Sequence, residues 1–225
     1  MRNGRALIYA GLPVVGAFVA GFVGALLIGE GTYPSPFGEQ DEILNWLSGN
    51  APAARLMSIT QVVSSLALLV FSARLAESLR SRGSGVYAAV TQSAGAAAAM
   101  MLAVSAMLEW VAVRPDVLAS APAARLVHDL SFLTGGPGNV AASSLMIGAA
   151  TLGFAATSTL PRWLHVLGTA VGVVGLVSVT SLMSETAAFL LPIARFPGLV
   201  WIAATAVVLG TREAAAAVRE DARAG

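Results

Sequence analysis

Four ionisable residues interrupt otherwise apolar stretches of the chain: Glu109, His128, Asp129 and Glu185. A carboxylic acid in an apolar pocket holds its proton more tightly, because the charged form is poorly solvated there, and can then act as a general acid. Aromatic residues recur near the same positions, namely Trp110, Phe132, Phe189, Phe196 and Trp201, with Trp46 in a polar connection. Aromatic faces stabilise a developing cation through their quadrupole. His128 and Phe132 are spaced i, i+4, as are Glu185 and Phe189 and as are Arg125 and Asp129, so on a helix each pair shares a face. Acids with aromatics suit protonation of an alkene or epoxide in a prenyl chain, followed by cyclisation of the cation.

The rest of the composition narrows the chemistry. There are no cysteines among 225 residues, which removes disulfides, thiolate nucleophiles and cysteine-ligated metals. The two histidines, His128 and His165, fall near opposite faces in the span order below, so bis-histidine haem is not expected. No metal and no cofactor are expected. A net charge of +1 gives no reason to expect nucleic acid as a partner. With 56% hydrophobic and 11% charged residues and a mean hydropathy of +0.77, the chain lies far from the soluble average of about 25% charged. It reads as a polytopic membrane protein.

The elements that must position these residues follow from the apolar runs. A bilayer core of about 30 Å needs roughly 20 apolar residues per helix, and six runs qualify: about 6–29, 54–76, 86–113, 123–157, 163–191 and 196–210. The expected fold is all-α, one transmembrane bundle over 1–211 with a charged cytoplasmic tail over 212–225. Seven spans result if the Gly135-Gly136-Pro137-Gly138 break or the Glu185 region divides a span. Tyr33-Pro34-Ser35-Pro36 must be extended or turned, and Glu39, Asp41, Glu42 and Trp46 suit a short interfacial helix.

The basic residues set the orientation. With the N-terminus inside, Arg2, Arg5, Arg74, Arg80, Arg82, Arg162, Arg212, Arg219 and Arg223 are cytoplasmic, and Arg55, Arg114, Arg125 and Arg195 are outside. Nine against four satisfies the positive-inside rule, so both termini are expected in the cytoplasm and the bundle in the plasma membrane. This topology brings Glu109, His128, Asp129 and Glu185 to one depth, near the outer ends of spans three, four and five.

Each residue also has a plainer reading. Glu109 can be a helix-end charge reaching the interface, Asp129 an ion-pair partner of Arg125, His128 a hydrogen-bonded core residue, and Glu185 a residue of a bent outer segment near water. His165 reads as an interface residue, and Glu39, Asp41 and Glu42 as a solvated face. The Gly135 to Gly138 run has no strand before it and no Lys after it, as a phosphate loop requires, so it reads as a kink.

Over nearly its whole length, through Tyr33-Pro34-Ser35-Pro36, Ile43-Leu44-Asn45-Trp46, Leu75-Ala76-Glu77-Ser78-Leu79-Arg80 and Leu160-Pro161-Arg162-Trp163-Leu164, the chain resembles a family of small six-helix integral membrane proteins of high-GC bacteria. That resemblance implies the architecture and no activity. In size, span number and sparse membrane acids it is similar, more loosely, to the small integral-membrane terpene cyclases, which typically have about seven spans. No catalytic role carries over by alignment.

The expectation is therefore a metal-independent cyclase or isomerase of a prenylated, lipophilic substrate. Glu185 and Asp129 are the candidate proton donor and base, with Glu109 and His128 in support. Trp110, Phe132, Phe189, Trp201 and Trp46 are the candidate pocket wall. The alternative is a non-enzymatic subunit of a membrane complex, or a lipid-binding protein, packing against itself or a partner through Gly/Ala-rich faces such as Gly95-Ala-Ala-Ala-Ala.

Overall fold

A computed structural model describes the backbone of residues 2–31, 33–157 and 159–224, and the side chains of 6–31, 33–157 and 159–215. Arg2, Arg5, Arg219 and Arg223, counted above for orientation, have side chains outside the described residues. Every regular element among the described residues is helical: α1 (Arg2–Ile28), α2 (Gln40–Gly49), α3 (Ala51–Arg80), α4 (Gly85–Ala112), α5 (Pro115–Leu118), α6 (Ala121–Leu133), α7 (Asn139–Ala155), α8 (Arg162–Val177) and α9 (Leu190–Ala224). Six helical segments are long and apolar enough to cross a membrane, one of them being α6 and α7 taken together.

These segments form a closed ring in chain order. α1 packs on α3, α3 on α4, α4 on α6 and α7, α7 on α8, and α8 on α9, which returns to α1. The surface presented outward is apolar: Leu27 and Val86 are each 79% exposed, and Leu66 and Ile59 are more than half exposed. In water such a surface would be a large liability. Against lipid it is the expected one.

Small residues set the spacing inside the ring. A Cβ at Gly95 of α4 would collide with Ser72 of α3 and with Met146 of α7. Likewise, a Cβ on Gly172 of α8 would lie 3.2 Å from the Gly148 Cα of α7. Lipid supplies little hydrophobic drive between helices, so close backbone approach supplies dispersion contact in its place. The main core, with Phe71, Leu75, Met146, Ile147, Phe154, Leu164 and Trp201 all buried, fills the half away from the 30–50 connection.

The connections are made by turn chemistry. Gly83, at φ +79°, sits in the left-handed region that closes α3, and Ser84 donates its backbone N–H to the Leu79 carbonyl at 3.0 Å. Gly31, at φ +76°, does the same work after α1. α2 then lies across one end of the bundle, because its buried Ile43 and Leu47 pack on Ala54, Ala112 and Val113 at the ends of α3 and α4. Burying two such side chains contributes roughly 1.5–3 kcal/mol each.

Span four is one segment bent by a π-helical turn, Thr134–Gly138, in which Gly136 has ψ −105°. Pro137 has no N–H to donate, so the regular ladder cannot pass through it. The expected kink is present, but it does not open a space. The missing side chain of Gly135 lets Ser105 of α4 come into contact, and Phe132 and Leu191 close on Gly136.

The fifth apolar segment ends at Leu182, earlier than the expected Leu191. The chain turns at Met183 and Ser184, passes through a short 3-10 turn, Glu185–Phe189, and enters α9. Pro192 therefore falls in the first turn of α9, where its missing N–H is no loss. At its other end α9 continues unbroken through the expected tail to Ala224.

Candidate functional site

Where α2, α4, α6 and the Tyr33 to Gly38 segment meet, the structure buries a polar cluster at one end of the bundle. Glu109 is 6% exposed and His128 is fully buried. The Tyr33 hydroxyl donates to Glu109 Oε2 at 2.7 Å and lies 3.4 Å from His128 Nδ1. Ser131 donates to the same carboxylate oxygen at 3.3 Å and also lies within hydrogen-bond reach of Ser105.

With the Tyr33 hydrogen directed to Glu109, the Tyr33 oxygen is free to accept from His128 Nδ1–H. The order His128, Tyr33, Glu109 is thus a continuous donor–acceptor chain. Its two ends are free: Glu109 Oε1 and His128 Nε2 are buried without a hydrogen-bond partner among the described residues. Leaving such groups unpaired costs on the order of 1–3 kcal/mol each. Burial, and next the Glu109 carboxylate, push the Tyr33 phenol well above its ordinary value.

Aromatic rings frame the chain. The Tyr33 ring stacks on His128 at 5.4 Å between centroids and meets Trp46 edge-on at 4.8 Å. Phe37 meets Phe132 edge-on at 6.0 Å. Trp46 also borders a shallow groove of about 660 Å³, lined by Glu30, Gly31, Glu42, Asn45, Gly49 and Asn50.

The Tyr33 segment has few backbone hydrogen bonds of its own and is held mainly by side chains. Arg125 of α6 pairs through Nε with Asp129, at 3.0 Å to both carboxylate oxygens. Its other nitrogens donate to the carbonyls of Pro36 and Gly38. The i, i+4 pair thus acts as a clamp: Asp129 orients Arg125, and Arg125 grips the connection.

The expected site residues separate into two groups. Glu109, His128 and Trp46 come together around Tyr33, while Phe132, one turn further along α6, packs on Phe37 and on the cluster of Val140, Leu191 and Ala194. Asp129 lies on the same helix but is spent on Arg125. Glu185 and Phe189 lie in the exposed 3-10 turn, with Phe189 73% exposed, because the chain breaks before them instead of continuing span five. Trp110 is 46% exposed and lies against the Arg114 guanidinium on the outer side of α4.

Trp201 is displaced furthest from expectation. It is fully buried and donates Nε1–H to the Leu164 carbonyl at 3.1 Å, against Gly168 and Thr151. The physical reason is the early start of α9 at Leu190: eleven residues of helix carry Trp201 about 16 Å along the axis, out of the layer that holds Glu109.

No protein-family model, curated protein or solved structure matches this chain.

Tyr33, Ser131 and Ser105 belong to the cluster and are not among the site residues expected from sequence. Tyr33 had a usable signal, an aromatic hydroxyl fixed by two prolines immediately after an apolar span. The two serines had none, since Ser recurs throughout these helices. Among the described residues, no group of His, Asp and Glu suited to hold a metal is found.

Proposed function

We propose that the chain is an integral membrane enzyme that isomerises or cyclises a prenylated, lipophilic substrate by acid catalysis without a metal. The observation that carries this reading is the His128–Tyr33–Glu109 chain, buried and free at both ends. Glu109 Oε1 gives a proton to a substrate double bond or epoxide oxygen, and a cation forms. His128 Nε2 takes a proton from the cation, and a new double bond forms.

A proton then returns along the chain: His128 Nδ1–H passes its proton to the Tyr33 oxygen, and the Tyr33 hydroxyl passes its own to Glu109 Oε2. The acid is restored with its proton on Oε2 and His128 is left as the Nε2–H tautomer, so rotation of the Glu109 carboxyl and tautomer exchange of His128 precede the next turnover. Protons balance, no co-reactant is consumed, and the product is an isomer of the substrate. Tyr33 and Trp46 provide aromatic faces for the cation. Relative to the sequence expectation, the donor role moves to Glu109 and the base role to His128, while Asp129 becomes a positioning residue and Glu185 drops out.

On the same reading the Glu109 end faces outward from the plasma membrane, because the arginine count puts the opposite end inside. The alternative is a non-enzymatic subunit or lipid-binding protein, favoured by one observation: the same hydrogen bonds pin the 33–38 segment to α4 and α6.

A product assay separates the two. Membranes carrying the protein are incubated with an epoxidised farnesyl phenol, and isomers of equal mass are resolved by chromatography. Wild type is expected to give a cyclised isomer, and Glu109→Gln to lose on the order of 10²–10⁴-fold in rate, the usual worth of a general acid. A folded Glu109→Gln protein that makes product at the wild-type rate sinks the acid role. No product from wild type with this or shorter prenyl phenols leaves the subunit reading standing.

A further inference from the structure

The buried cluster is covered unevenly. Its two free ends, Glu109 Oε1 and His128 Nε2, are closed off from solvent, so nothing reaches them unless one of the four surrounding elements moves. Three of those are firmly seated. α4 and α6 are joined by the buried Ser105–Ser131 contacts, and α2 is anchored by Ile43 and Leu47, both fully buried.

The fourth element, residues 33–38, is seated lightly. Among the described residues its one internal backbone hydrogen bond runs from Gly38 N–H to the Ser35 carbonyl, at 2.9 Å, and Pro34 is its one buried residue. Pro34 and Pro36 have no N–H with which to join a ladder. What holds the segment comes from elsewhere in the chain. Arg125 donates to the carbonyls of Pro36 and Gly38, the Tyr33 hydroxyl donates to Glu109, and the Phe37 ring meets Phe132. Just before it, Gly31 at φ +76° supplies a pivot without a Cβ. A stretch with so little apolar burial and so few hydrogen bonds of its own is the first to open locally.

We propose that residues 33–38 form a lid over Glu109 and His128, latched by Arg125, which opens to expose both groups and on closing rebuilds the His128–Tyr33–Glu109 chain. Entry of a prenylated substrate through that opening rests on the function proposed above; the opening itself does not.

Diethyl pyrocarbonate acylates an accessible, uncharged imidazole, and the chain has only two histidines, His128 and His165. The full chain in nanodiscs is treated with the reagent, and the modification rate of each histidine is read by mass spectrometry. Arg125→Met removes both grips on the lid and is expected to raise the His128 rate about tenfold, the combined effect of two lost hydrogen bonds. The His165 rate should not change, which shows that the variant is folded.

A second variant, Phe37→Cys with Phe132→Cys, carries the chain's only thiols. Bridging them with dibromobimane ties the lid to α6 and is expected to suppress His128 modification relative to the same variant unbridged. Equal His128 rates in wild type and Arg125→Met overturn the lid, as does a rate that bridging leaves unchanged. Cyclisation of the epoxidised farnesyl phenol is followed in the same samples. If no sample makes product while the His128 rates respond as expected, the lid stands and the enzyme reading falls.

Discussion

At the scale of single residues, Glu109 owes its character to what faces it. One oxygen is held by Tyr33 and Ser131, and the other has no partner. Tyr33→Phe removes the shorter of the two bonds and leaves a buried acceptor half satisfied. A loss of about 1–3 kcal/mol is expected, read as a lower melting temperature in detergent. Its pH dependence has a definite sign. Because the folded protein holds the Tyr33 proton more tightly than the unfolded chain does, the associated stability is fully present below the ordinary phenol value of about 10 and is lost as pH rises toward the raised one. The gap in melting temperature between wild type and Tyr33→Phe should therefore shrink above about pH 10, and a gap that stays constant or widens would show that the phenol is not held protonated by the fold.

Among the elements, span four shows how a local break is used. Thr134–Gly138 reads from sequence as a kink because Gly and Pro cannot sustain a regular ladder. What the kink is for depends on α4, whose Ser105 occupies the space a Gly135 side chain would take. Gly135→Ala is accordingly expected to destabilise by roughly 1–3 kcal/mol through overpacking. Ser105→Gly in the same chain should recover most of that loss. The double-mutant cycle measured by thermal unfolding tests the contact directly, and simple additivity of the two changes would show that the collision is relieved elsewhere. The Arg125 clamp belongs to this scale too: Asp129→Asn should loosen the grip on Pro36 and Gly38 and raise hydrogen exchange in the 33–38 segment, while the amides of α4 stay protected.

For the whole molecule, orientation is the property most open to test. The chain has no cysteine, so Ser35→Cys at the Glu109 end and Ser81→Cys at the Arg82 end can each be introduced singly. A membrane-impermeant maleimide added to intact cells is expected to label the first at once and the second only after permeabilisation; the reverse pattern would invert the arginine argument. The sequence by itself determined the class, because six apolar runs with scarce charge leave a helical chain little choice in lipid, and it marked Glu109 and His128 because a polar group in such a run stands out against its neighbours. Only the tertiary structure decided which polar groups meet. Tyr33 reaches Glu109 across 76 positions of chain, a distance over which no periodicity operates. Glu185 and Trp201 left the expected site because the turn into α9 came at Met183 and Ser184, and a helix that starts a few residues early carries every later side chain several ångströms along its axis.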